Sequence, residues 1–189
     1  MTSPIRRRTR AREIAMQVLF QFDLRGPDYA AELGGTIADL CATELRAGDS
    51  KESDGGKESN GPRKPNAAER EIVAFATHLV EGTLQRRDEI DAQLQGVTRN
   101  WDLRRMAIVD RNVLRMATYE LMFCADVPPK VAINEAIEIG KKYSTANTGG
   151  FVNGILDRIR IDLERARELR DAEGSNADES SADESSGSD

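Results

Sequence analysis

The spacing of the apolar residues constrains this chain more than any other feature. Ala11, Ile14, Ala15, Val18, Leu19 and Phe22 recur three and four positions apart. With about 3.6 residues per helical turn these positions fall on one stripe, whereas on a strand they would scatter over both faces. The spacing predicts a first helix over residues 8–24, stopped by Gly26 and Pro27. Leu33, Ile37, Leu40, Cys41 and Leu45 mark a second helix, interrupted at its start by Gly34 and Gly35. Ile72, Phe75, Ala76, Leu79, Val80 and Thr83 place a third over 67–87, and Ile90, Leu94 and Val97 a shorter one after Asp88. Met106, Asp110, Val113, Leu114, Ala117, Leu121 and Cys124 mark a fifth, with Asn100 or Asp102 as its N-cap. Pro128 and Pro129 separate it from a helix over 131–143, and after a polar loop at 144–150 a last stripe runs through Val152, Ile155, Leu156, Ile159 and Leu163. No segment alternates convincingly at period two, so the expected fold is all-α, a compact bundle of six to seven helices.

Two stretches have nothing to pack. Residues 47–66 hold one apolar residue, four glycines and two prolines, which predicts a disordered insertion, because no burial offsets the entropy of ordering it. Residues 171–189 have the same character with an acidic bias and are expected to form a disordered acidic tail. About 150 residues remain for the fold, enough for a substantial core.

The net charge of −6 argues against a nucleic-acid partner only until its distribution is considered. Arg6, Arg7, Arg8, Arg10 and Arg12 give residues 1–12 a charge of +5 with no acid among them. Residues 171–189 carry −7 and the body between carries −4. The chain therefore reads as a mildly acidic body with a basic head and an acidic tail.

Several function classes find no support. No run approaches the roughly 18 to 20 apolar residues that cross a bilayer, and the basic head leads into an amphipathic segment, so a cytoplasmic protein without a membrane partner is expected. Cys41 and Cys124 lie 83 positions apart on apolar stripes and read as core residues, not as metal or redox ligands. His78 is the single histidine and reads as a solvated or rim residue. Gly55-Gly56-Lys57 is followed by Glu58 where a phosphate loop requires Ser or Thr. We expect no catalytic residues, no metal and no cofactor.

Three features point to binding instead. The arginines of the head are joined directly to the first helix, where three- and four-residue spacings cluster forked donors suited to phosphate oxygens. Asp110 lies on an apolar stripe near Arg111 and Arg115, so it is either paired at the edge of the core or presented to a partner. Gly149 and Gly150 precede Phe151, a placement that suits helix entry with a core aromatic and also suits stacking on an unpaired base.

Five stretches in one order carry a resemblance. They are Arg10-Ala11-Arg12-Glu13 with Gln17-Val18-Leu19-Phe20, then Asp110-Arg111-Asn112-Val113-Leu114-Arg115, then Tyr119-Glu120-Leu121, then Val131-Ala132-Ile133-Asn134-Glu135-Ala136, and last Phe151-Val152-Asn153-Gly154-Ile155-Leu156-Asp157. In this order they resemble the NusB family of bacterial transcription antitermination factors, over about residues 6–165 apart from the insertion. The resemblance implies two small helical subdomains, placed here at 1–99 and 100–170. It also implies binding of single-stranded boxA-type RNA together with NusE, a small-subunit ribosomal protein, within an RNA polymerase complex containing other Nus factors, notably on ribosomal RNA operons. Carried over by position, Arg8, Arg10 and Arg12 match the arginine motif for RNA, with Arg6 and Arg7 extending it upstream. Asn147 and Phe151 match the second RNA-contacting region, and Phe20 and Asp110 match positions facing NusE. A homodimer through the partner-binding surface is compatible with the family. Asn147 stands where family members often carry an acid, and Gly149-Gly150 where they carry larger polar residues. The alternative is a helical protein–protein adaptor without specific RNA binding.

Overall fold

The computed structural model describes residues 4–49, 65–98, 102–145 and 147–182, leaving aside the side chains of residues 4, 44–49 and 173–182. Among the described residues there are seven α-helices and no strand: α1 (Pro4–Arg25), α2 (Leu33–Asp49), α3 (Ala67–Gln85), α4 (Arg87–Val97), α5 (Ile108–Phe123), α6 (Pro129–Tyr143) and α7 (Thr148–Ala182). The fold is all-α, as the periodicity predicts.

The apolar stripe of α1 becomes the axis of the molecule. Ala11, Ile14, Ala15, Val18 and Leu19 are at most 2% exposed, because α1 packs against α2 and α3 on one side and α5 and α6 on the other. Burying a side chain the size of Ile14 contributes about 1.5–3 kcal/mol. Gly26 ends the helix at φ 84°, a left-handed conformation open to glycine, and Pro27 starts a 3-10 turn. One continuous core joins α1–α3 to α5–α7. Helix α4, on the N-terminal side of the expected division at residue 99, packs mainly on α5 and α7.

Element ends differ from the sequence reading in several places. Residues 47–49 continue α2, and Asn66 caps α3, so the insertion is shorter at both ends; residues 50–64 lie outside the described residues. The cap is reciprocal: Asn66 Oδ1 accepts from the Glu69 N–H at 2.9 Å and the Asn66 N–H donates to Glu69 Oε2 at 2.6 Å. Asp102 caps a 3-10 turn (Leu103–Arg105), accepting from the Arg104 N–H, and α5 begins only at Ile108; Asn100 lies outside the described residues. Helix α7 starts at Thr148, inside the expected loop, and its backbone stays helical through Ala182. This corrects the disordered tail over 171–182, while 183–189 lie outside the described residues. Judging order by burial alone neglects intrinsic propensity: the Ala-, Arg-, Glu- and Leu-rich run 164–173 favours helix.

Candidate nucleic-acid and partner interface

Two buried ionic hubs position the candidate surface. At the first, Arg12 is 2% exposed and sets a fork onto Glu120 of α5: Nε lies 3.0 Å from both carboxylate oxygens and Nη2 lies 2.7 Å from Oε1. Glu135 of α6 stands 3.7 Å from Arg12 Nη1 and accepts from the Thr9 hydroxyl at 3.1 Å. Burial pushes the Glu120 carboxyl up; the Arg12 hydrogen bonds and charge oppose this, and Glu135 adds to it. At the second hub Asp23 of α1 gathers Arg111 at 2.8 Å, Arg115 at 3.3 Å, Arg87 at 3.4 Å and the Asn112 amide at 3.2 Å. Burial raises the Asp23 carboxyl, but the Arg111 hydrogen bond and the surrounding guanidinium charges outweigh it, leaving the pKa below its ordinary value. Arg115 also forks onto Asp91 at 2.7 Å through two nitrogens.

These hubs bear on two site expectations. Arg12 belongs to the interior and offers no exposed donor to RNA. Its place on the helix, one turn before the buried Ala15 and Met16, faces α5 and α6, where Glu120 and Glu135 converge on it. Arg111 and Arg115 are committed to Asp23 and Asp91, not to Asp110. Asp110 is half-buried in the first turn of α5 and accepts from the Thr148 hydroxyl at 3.3 Å. Asp23, the centre of the second hub, was missed: at the end of an amphipathic helix it looks like any solvated acid.

The remaining head arginines form an edge along the N-terminal half of α1, and three of the four are held by carboxylates. Arg7 pairs with Glu71, Arg8 with Asp126 at 3.0 Å, and Arg10 with Glu13 at 2.6 Å. Glu13 also takes Lys142, at the end of α6, at 2.6 Å. Arg6 is exposed on the same helical segment. The basic run is thus half-neutralised and locked in position.

Around the start of α7 a pocket of about 210 Å³ brings Asn147 and Phe151 together with Asp110, Thr145, Thr148 and Arg105. Asn147 is exposed, and Phe151 is half-buried with its ring packed on the core. Thr145 and Thr148 close the entry: the Thr145 N–H donates to Thr148 Oγ1 at 3.2 Å and the Thr148 N–H to the Thr145 carbonyl at 3.0 Å. Of the glycine pair, Gly149 serves close approach, since a Cβ there would meet Lys141 Cε at 3.0 Å, while Gly150 faces open space. Arg105, exposed at the rim, was not anticipated. Phe20 is half-buried and Leu24, one turn on, is 60% exposed. The Asp23–Arg111 pair tethers this end of α1 to the first turn of α5, the turn that carries Asp110.

Other chemistry is quiet. Cys41 and Cys124 are buried free thiols, and burial, followed by the charges of Glu120 and Asp126, pushes Cys124 up to about 11. His78 is exposed, with Nε2 3.4 Å from the Tyr119 hydroxyl. Among the described residues no group of His, Cys, Asp and Glu converges as a metal site, and no helix is long and apolar enough to cross a membrane.

Fold and site together define a class: α-helical bundles built around a basic first helix that buried ion pairs tie to the C-terminal helices. The particular family follows from comparison. The NusB family model matches residues 9–160, and the chain belongs to the NusB family. The transcription antitermination protein NusB of Desulfosudis oleivorans is 40% identical over 156 residues, covering 82% of this chain and 86% of the relative. Among solved structures, T. maritima NusB superposes with a TM-score of 0.60 at 34% identity, covering 85% of this chain and 92% of the other. A crystal structure of antitermination factors NusB and NusE in complex with dsRNA matches with a TM-score of 0.60 at 25% identity, covering 83% and 98%.

Proposed function

We propose that this chain is a cytoplasmic, non-catalytic transcription antitermination factor that binds boxA-type RNA together with NusE and joins RNA polymerase and other Nus factors, notably on ribosomal RNA operons. The observation that carries the reading is the arginine edge of α1 in a NusB-family fold, a fold whose members include one crystallised with NusE and RNA. Arg6, Arg7, Arg8 and Arg10 hold phosphates, while Asn147 and Phe151 present a polar group and an aromatic face to unstacked bases. Phe20, Leu24 and Asp110 form the NusE face. Asp110 also lines the Asn147–Phe151 pocket, so RNA and NusE meet at one junction, and each adds contacts to the other's complex.

The test is a titration of boxA-type RNA with and without NusE, using wild type and the Arg8→Ala/Arg10→Ala double variant. We expect NusE to tighten RNA binding, and the variant to weaken RNA binding while NusE binding is retained. Full RNA affinity in the variant would remove the arginine edge from the mechanism. Loss of both ligands by a folded variant would show that the two surfaces are not separate.

A further inference from the structure

Beside the arginine edge, the first two turns of α1 and helix α3 enclose a cleft of about 300 Å³, lined by Arg7, Arg8, Glu71, Ala74, Phe75 and His78. That volume sits at the low end of the roughly 300–1,000 Å³ typical of small-ligand sites and suits a single nucleotide. Phe75 is half-buried with its ring against the core, and the Arg8 guanidinium lies over it at 4.8 Å from the centroid. Arg8 is 44% exposed and its ion-pair partner is the rim residue Asp126, so a flat group can share or take its place on the ring while the guanidinium turns to a phosphate. The cleft is continuous with the phosphate-binding edge, because Arg7 and Arg8 belong to both.

Glu71 sets the identity of that flat group. Its side chain is 46% exposed, and Arg7 holds it by an ion pair. An ionised carboxylate accepts only, at about four lone-pair positions, and one bond from Arg7 uses a single position. Guanine alone among the RNA bases presents two adjacent donors, N1–H and the N2 amine, on its Watson–Crick edge. Adenine, cytosine and uracil each bring an acceptor alongside their donor, which a carboxylate repels.

We propose that this α1–α3 cleft is a pocket for one guanine nucleotide of single-stranded RNA. Phe75 and Arg8 stack the base, Glu71 accepts from N1–H and N2–H, and Arg7 orients Glu71. This rests on the RNA-binding reading above.

The test uses the full chain and nine-nucleotide uridine oligomers carrying a single G, A or C at the 5′ end, the centre or the 3′ end, in wild type, Glu71→Gln and Arg8→Ala/Arg10→Ala proteins. One bidentate base contact predicts that a G oligomer binds about tenfold more tightly than its A, C and U counterparts. Glu71→Gln removes that preference; because the substitution also deletes a negative charge, the ratio of G to U affinity is the readout. Oligomers bound equally by wild type, or a G preference that survives in Glu71→Gln, would overturn the pocket. If binding is arginine-dependent but indifferent to guanine, the pocket fails and the RNA reading stands. If no oligomer binds, the pocket fails, and the titration of boxA-type RNA with NusE decides the RNA reading separately.

Discussion

Removing the Arg12 guanidinium would leave Glu120 in a site where its side chain is 1% exposed, with the Glu135 carboxylate close by. Breaking a buried ion pair from one side costs about 3–5 kcal/mol, because the remaining charge has neither partner nor water. Arg12→Ala should therefore lower the urea midpoint sharply. Arg12→Lys should recover only part of it, since a point charge cannot make the forked contact. A variant losing both Arg10 and Arg12 would confound unfolding with lost RNA contacts, which is why Arg8 and Arg10 are the informative pair. Asp23 gives a pH dependence of definite sign. Its folded carboxyl titrates below the unfolded value of about 3.9, so its contribution is complete above that pH and is lost as pH falls through the folded pKa. In urea denaturation Asp23→Asn should be clearly less stable than wild type at pH 7, and the gap should narrow as pH is lowered below about 4; a gap independent of pH would show that charge is not what Asp23 contributes.

At the level of elements, packing sets the helices but not all of their limits. Every stripe read from the sequence lies on a helix, apart from Met106 and Cys124, which fall just outside the two ends of α5, because i, i+3, i+4 spacing is enforced by one-sided burial. The ends were less legible. Asn66 with Glu69 three residues on is a capping-box spacing that the low-complexity sequence around it masks, and Thr148 starts α7 with its hydroxyl accepting from the Thr145 N–H. Contacts between distant segments left still less trace: nothing near Gly82 announces that a Cβ there would lie 2.1 Å from the Tyr119 ring. The five motif stretches carry the family resemblance, and Arg12, Glu120 and Glu135 from three of them meet in one buried cluster, while Arg111 and Arg115 from another meet Asp23. Much of that pattern is architecture. The far end of α7 is the contrary case, helical without support, with Leu169 66% exposed and Asp171 and Ala172 exposed. Truncation after Arg170 should reduce the far-ultraviolet helical signal while leaving Tm within about 2 °C, because surface changes of this kind stay within about 0.5 kcal/mol. A large fall in Tm would mean that the segment packs on the body.

For the whole molecule, what matters is how a chain of net charge −6 presents itself to a polyanion. The +5 of the head overstates the charge available, since Arg12 is buried and Arg7, Arg8 and Arg10 stand against Glu71, Asp126 and Glu13. If the other four arginines each neutralise one phosphate, log K against log salt falls with a slope of about −2.8, compared with about −3.5 for all five. The neighbouring carboxylates make it shallower still, because they repel the same phosphates that the arginines attract. Asp126 is the best place to measure this, being 62% exposed and bound to Arg8 at 3.0 Å. An exposed pair of that kind adds little to stability, so its removal should leave the fold intact. Asp126→Asn should then raise affinity for single-stranded RNA several-fold at about 50 mM salt, and the gain should fade as the Debye length shrinks toward about 3 Å near 1 M. A gain that persists undiminished at high salt would mean that the substitution makes a direct contact with RNA, and an absent gain would mean that Arg8 does not meet phosphate at all.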